Sequence, residues 1–115
     1  MSPARSRVTT HVLDAVTGRP APDVAVVLER RGPDGWDLLA EGRTDGDGRI
    51  GRFGPDELDP GTYRATFAVG EYFAGRGQPA FYPEVAISFS LDDRAAHYHV
   101  PLLLSPYAYS TYRGS

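Results

Sequence analysis

Cysteine and lysine are both absent from this chain of 115 residues. Without cysteine there is no disulfide, no zinc–thiolate site, no iron–sulfur cluster and no thiol nucleophile. Without lysine there is no amine for Schiff-base chemistry. All 12 basic residues are therefore arginine, scattered along the chain with Arg30-Arg31 the one adjacent pair. The formal net charge is -3 and the pI is about 5.5. The concentrated basic stripe and high pI of nucleic-acid binders are missing. Long apolar runs are missing too. The longest, near residues 100–104, falls far short of the roughly 20 residues a spanning helix needs. The opening Met1-Ser2-Pro3-Ala4-Arg5-Ser6-Arg7 has basic residues with no apolar stretch behind them, unlike a secretory signal. The closing Arg113-Gly114-Ser115 is not the Ser-Lys-Leu peroxisomal address. The expectation is a cytoplasmic protein with neither nucleic-acid nor membrane partners.

What is present is one domain's worth of chain, 1–115, with 1–6 expected to be a flexible N-terminus. At this length roughly 65% of the unfolded surface can be buried, enough for a core without covalent staples. Short alternating runs separated by turn residues dominate, the signature of an all-β chain. Strands are expected over 7–15, 24–30, 36–44, 49–52, 61–69, 83–91, 98–105 and 109–115. Thr17-Gly18-Arg19-Pro20, Gly32-Pro33-Asp34-Gly35, Asp45-Gly46-Asp47-Gly48 and Asp59-Pro60-Gly61 supply turns between them. One short helix, residues 70–75, fits between the fifth and sixth strands. Eight short strands at this spacing imply a sandwich or barrel. The segment 98–105 is apolar on both faces: Tyr98, Val100, Leu102 and Leu104 on one, Pro101 and Leu103 beside His99 and Ser105 on the other. A half-solvated strand alternates apolar with polar. The second face is therefore covered, either by another subunit or by loops and the helix.

Three histidines, His11, His97 and His99, are the side chains whose ordinary pKa suits proton transfer near neutrality. His97 and His99 share a strand face. Each histidine is either a satisfied polar residue of its strand or part of a site. His97, His99 and His11 could also be weighed as metal ligands, but a structural site wants four donors and no cysteine is available. Asp45-Gly46-Asp47-Gly48 fails the calcium-loop pattern, because Arg49 and Ile50 stand where Asp or Asn and then Gly are required. No Gly-x-Ser-x-Gly elbow and no phosphate-cradling glycine loop occurs. Arg49, directly after that turn, is either a solvated charge or a donor fork for a planar, carbonyl-rich ligand. The terminal Tyr112-Arg113-Gly114-Ser115 offers a phenol, a guanidinium and a carboxylate in a region where chains usually fray.

Taken together, these segments resemble one family. Thr10-His11-Val12-Leu13-Asp14 with Gly18-Arg19-Pro20-Ala21, Thr44-Asp45-Gly46-Asp47-Gly48-Arg49 and Phe81-Tyr82-Pro83-Glu84-Val85 are similar to the transthyretin-related proteins. His97-Tyr98-His99-Val100-Pro101-Leu102-Leu103-Leu104-Ser105-Pro106, continuing through Tyr109-Ser110-Thr111-Tyr112-Arg113-Gly114-Ser115, carries the resemblance furthest. The closing Tyr-Arg-Gly-Ser resembles the family's hydrolase branch, whereas the hormone carriers lack it. The resemblance implies an eight-stranded transthyretin-like sandwich, with the short helix as above. It implies an enzyme of urate breakdown that opens the N1–C6 amide of 5-hydroxyisourate to 2-oxo-4-hydroxy-4-carboxy-5-ureidoimidazoline. It implies a homotetramer with sites at subunit interfaces, and neither metal nor cofactor. Catalytic roles then fall on His11, Arg49, His99 and Ser115, and substrate binding on His11, Arg49, Tyr112 and Arg113. The alternative within the family is a non-catalytic carrier of small ligands.

Overall fold

The alternation of apolar and polar residues resolves, in a computed structural model described over residues 6–114, into two packed sheets and one short helix. The order is β1 (Val8–Asp14), β2 (Arg19–Pro20), β3 (Ala25–Gly32), β4 (Gly35–Arg43), β5 (Arg49–Phe53), β6 (Gly61–Phe67), α1 (Val69–Ala74), β7 (Val85–Leu91), β8 (Tyr98–Ser105) and β9 (Ala108–Thr111). One sheet runs β2-β1-β8-β9, with β5 also paired to β1; the other runs β4-β3-β6-β7. β1 and β8 pair in parallel, from Val8↔Tyr98 to Asp14↔Leu104. The other strand pairs are antiparallel.

The expected transthyretin-like, all-β sandwich is the architecture found, with boundaries adjusted for physical reasons. A ninth strand exists because Arg19 and Pro20, expected as turn, pair with Asp14 and Leu13. Thr44 falls outside β4 because its hydroxyl turns inward, donating to the Ala21 carbonyl at 2.7 Å and accepting from the Val24 N–H at 2.8 Å. Pro83 stays outside β7, where its carbonyl accepts the Gly70 N–H at 3.0 Å and docks the start of α1. The last strand ends at Thr111, although an isolated bridge between His99 and Gly114 continues its register. Ser6, placed in the expected flexible segment, is buried; its hydroxyl donates to the Val8 carbonyl and accepts from the Phe53 N–H.

The core lies between the sheets. β1 and β8 contribute Val8, Val12, Tyr98, Leu102 and Leu104, and the facing sheet contributes Val26, Leu28, Tyr63, Phe67 and Leu91. Burying each such side chain stabilises the fold by roughly 1.5–3 kcal/mol. These inward positions force Thr9, His11 and Leu13 of β1, and His99, Pro101 and Leu103 of β8, onto the opposite face. Leu103 is half-buried and Pro101 buried, so part of the two-sided apolar strand is covered within the chain itself.

The helix is tied to the end of β1 by a buried carboxylate. Asp14 accepts the Tyr72 hydroxyl at 2.7 Å and the Val16 N–H at 2.8 Å, which offsets the cost of burying its charge. Burial, then the Asp14 acceptor and its charge, push the Tyr72 phenol up to about 12, partly opposed by Arg76 stacked on the ring. An unfolded tyrosine ionises near pH 10. The stability this group contributes is therefore whole below about pH 10 and is lost as pH rises towards 12. That loss is on the order of 2 kcal/mol. Tyr63, also raised by burial, acts in the same direction. Melting curves at pH 9 and pH 12 should show a smaller alkaline drop for Tyr72→Phe than for the native chain. An equal drop in both would remove Tyr72 from the explanation.

Candidate active site

The candidate site is built on strands, beginning with the outward row of β1. His11 is half-buried there and lies opposite Arg49 across the β1–β5 pairing. The Asp45-Gly46-Asp47-Gly48 turn sets that juxtaposition. Asp45 Oδ1 accepts the N–H groups of Asp47 at 2.9 Å and Arg49 at 3.0 Å. The Asp45 N–H donates to the Arg49 carbonyl at 2.9 Å. Gly48 has φ +73°, a region that favours glycine, and its carbonyl accepts the Val12 N–H at 2.7 Å. A β-carbon at Gly48 would strike the Val12 carbonyl oxygen. The glycine thus lets the turn press against β1, and Arg49 arrives level with His11. Arg49 is exposed, and among the described residues its guanidinium has no hydrogen-bond or ion-pair partner. The same holds for the His11 ring. Both are available to a ligand on this face.

The parallel strand supplies the third group. His99 pairs with Thr9, and His11 pairs with Pro101, so the two histidines stand two residues apart along the sheet. Thr9 Oγ1 lies 2.7 Å from His99 Nδ1 and 2.9 Å from His97 Nε2. Both rings of the His97-x-His99 pair, weighed as metal ligands, thus turn onto one threonine hydroxyl. Thr9 is buried and was not among the residues singled out from sequence. Its partners lie 88 and 90 residues away, so no local pattern marks it.

The tail closes one side of His99. The Gly114 N–H donates to the His99 carbonyl at 2.9 Å. A β-carbon at Gly114 would lie 2.5 Å from His99 Cδ2 and 3.2 Å from Pro101 Cγ. The imidazole therefore lies against a residue with no side chain. Arg113, in contrast, stacks on the Tyr98 ring at 4.6 Å. Tyr98 is a core-facing residue, and Arg113 shares the lining of one cavity with His99 but not with His11 or Arg49. That cavity, of about 330 Å³, is also lined by Ile87, Phe89, Tyr98 and Tyr112. Tyr112 is exposed. Ser115 lies outside the described residues. One face therefore gathers imidazoles able to exchange protons and a cation, a set fit for activating water and stabilising developing negative charge.

A sandwich of transthyretin type, with histidine and arginine rather than only apolar groups on the outer face of β1, β5 and β8, is the class this fold and face define. The chain belongs to the HIUase/Transthyretin family, whose model matches residues 8–114. It is 49% identical to the 5-hydroxyisourate hydrolase of Salmonella typhimurium, over 94% of this chain and 80% of that protein. It is 42% identical to the 5-hydroxyisourate hydrolase of Mus musculus, over the whole of both. Among solved structures it is similar to the Klebsiella pneumoniae 5-hydroxyisourate hydrolase, with TM-score 0.84, 39% identity and coverage of 94% and 98% of the two chains. Transthyretin from Sparus aurata superposes with TM-score 0.90 at 32% identity, covering 96% and 97%. The transthyretin's backbone fits as well as the hydrolase's, so fold alone does not separate the two.

The turn that delivers Arg49 can be tested directly. Gly48→Ala should destabilise the protein by about 1–3 kcal/mol, through backbone strain at positive φ. Gly46→Ala, whose β-carbon meets nothing within 4 Å, should change stability by less than about 0.5 kcal/mol. Urea midpoints of the two variants give the comparison, and equal midpoints would contradict it.

Proposed function

We propose that this protein hydrolyses 5-hydroxyisourate, opening its N1–C6 amide to give 2-oxo-4-hydroxy-4-carboxy-5-ureidoimidazoline. The observation that carries the reading is the juxtaposition of His11, Arg49 and His99, from three different strands, on one sheet face. The relatives named for this reaction, 40–49% identical over most of the chain, support it. A carrier of the same fold needs no proton-transfer groups.

Opening a cyclic amide requires a water proton to be removed, negative charge on the carbonyl oxygen to be held, and the leaving nitrogen to be protonated. One neutral imidazole takes the water proton. The Arg49 guanidinium, brought to this face by its turn, faces the developing charge and orients the planar ring through its donor fork. Imidazole then returns the proton to the departing nitrogen. His11 shares both substrate binding and catalysis. Tyr112 and Arg113 are assigned to substrate binding, and Ser115 to catalysis. Arg113 lines a cavity with His99 but not with His11 or Arg49, and its contribution is assigned to a site shared between copies in a homotetramer. No metal or cofactor takes part in this reading, and the assigned compartment is the cytoplasm. Among the described residues no helix is long and apolar enough to cross a membrane.

Turnover is measured by generating 5-hydroxyisourate from urate with a urate oxidase and following its absorbance decay against a protein-free blank. His11→Ala, Arg49→Ala and His99→Ala should each lower turnover by at least about 100-fold, the lower end for general acid–base groups. Folded His11→Ala and His99→Ala variants with near-native turnover would sink the assignment. So would activity lost to a chelator and restored by zinc.

The tetramer is tested separately. Light scattering should give about four times the 12.5 kDa chain mass. A monomer with full activity would rule out a site shared between copies.

A further inference from the structure

The hydroxyl that joins His97 to His99 carries an inference about how the proton moves. Thr9 Oγ1 has one hydrogen and sits within hydrogen-bond distance of two ring nitrogens, His97 Nε2 at 2.9 Å and His99 Nδ1 at 2.7 Å. Thr9 is 4% exposed, so bulk water is largely excluded from the bridge. A hydroxyl in this position can donate to one ring nitrogen while accepting from the N–H of the other. The two imidazoles then cannot choose their tautomers independently. If His99 donates from Nδ1, Thr9 donates to a bare His97 Nε2, and His99 Nε2 is a base. If His97 donates from Nε2, Thr9 donates to His99 Nδ1, and His99 Nε2 carries the hydrogen as an acid.

We propose that His97, Thr9 and His99 form a proton relay, with Thr9 and His97 as positioning residues that switch His99 between base and acid. This rests on the hydrolase reading above and deepens it. As water attacks the amide carbon, His99 Nε2 takes one water proton. The proton on His99 Nδ1 passes to Thr9 Oγ1, and the hydroxyl's own proton passes to His97 Nε2. A carbon–oxygen bond forms, and the positive charge rests on His97, one hydrogen-bonded step from the substrate. When the carbon–nitrogen bond breaks, His99 Nε2 gives its proton to the leaving nitrogen. The two internal protons return, and the relay is reset with no net gain or loss. Gly114 serves the same end, because its missing side chain leaves the His99 ring room to lie at this angle. Among the described residues, His11 and Arg49 of the same face lie along the strand from this bridge.

The test combines two measurements on the full chain. The first is 15N–1H NMR of the free protein. It should find His97 Nε2 and His99 Nδ1 in opposite states, one protonated and one bare. Two protonated or two bare nitrogens facing Thr9 would overturn the relay. The second is 5-hydroxyisourate turnover of Thr9→Val and Thr9→Ser, in mixtures of H2O and D2O. Valine keeps the shape and removes the bridge. It should lower kcat at least roughly tenfold, part of the 100-fold or more that acid–base catalysis supplies, with KM little changed. The isotope dependence, curved for a native chain moving several protons at once, should become linear in Thr9→Val. Thr9→Ser should restore both kcat and the curvature. Native kcat in folded Thr9→Val would overturn the proposal. If the native chain fails to hasten the decay of 5-hydroxyisourate at all, the hydrolase reading falls. The catalytic use of the relay falls with it, while the NMR result still decides whether the bridge is built as described.

Discussion

The parallel pairing of β1 with β8 is the constraint on which the rest depends. It joins segments about 90 residues apart in one unbroken register, Val8↔Tyr98 through Asp14↔Leu104. Closing so long a loop carries an entropic penalty that grows only slowly with length. The side chains that meet offset it: Val8, Val12, Tyr98, Leu102 and Leu104 all enter the core. A one-residue slip would turn these outward and drive Thr9, His11 and His99 inward. The burial that makes the sandwich stable therefore also holds the histidines on the opposite face. Core and site are two sides of a single register.

Glycine refines what the register establishes. At Gly48 and Gly114 the absent side chain permits a close approach, of a turn to β1 in one case and of an imidazole to the tail in the other. Arg49 and His99 owe their places to these contacts. Neither residue sits on a mobile lid. Both belong to paired strands, which hold a constellation more tightly than loops do. The Asp14–Tyr72 hydrogen bond serves a different purpose. It anchors the helix at the far end of β1 and leaves the histidine face unencumbered.

The likeness to both a hydrolase and a transthyretin follows from this division of labour. The inward faces of the sheets make the sandwich, and the outward faces are free to differ. The transthyretin of Sparus aurata superposes with TM-score 0.90 and the Klebsiella pneumoniae hydrolase with 0.84. Chemistry is carried by a few outward side chains that backbone superposition does not register.

Period-two alternation and turn residues are local properties, and they made the β-sandwich, the short helix and most strand limits readable along the chain. Tyr98–Ser105 falls where expected, and the helix is displaced by one residue. His11, Arg49 and His99 stood out by residue type and by motif. That they share a face was not readable. It depends on which strands are neighbours, and neighbours distant in sequence leave no mark on local pattern. For the same reason Thr9 was passed over: a threonine in a strand is ordinary until two histidines from the other end of the chain close on its hydroxyl. Thr44 and Pro83 looked like strand residues. They left their strands because tertiary partners claimed their polar groups. Arg113 stood out by motif, and the register that sets Gly114 against His99 stacks the arginine on Tyr98 at the edge of a cavity that His99 also lines. Residue types and their spacing were enough to specify the kind of fold and the chemical groups at hand. Only long-range pairing, enforced by burial of the core, decided which of those groups meet.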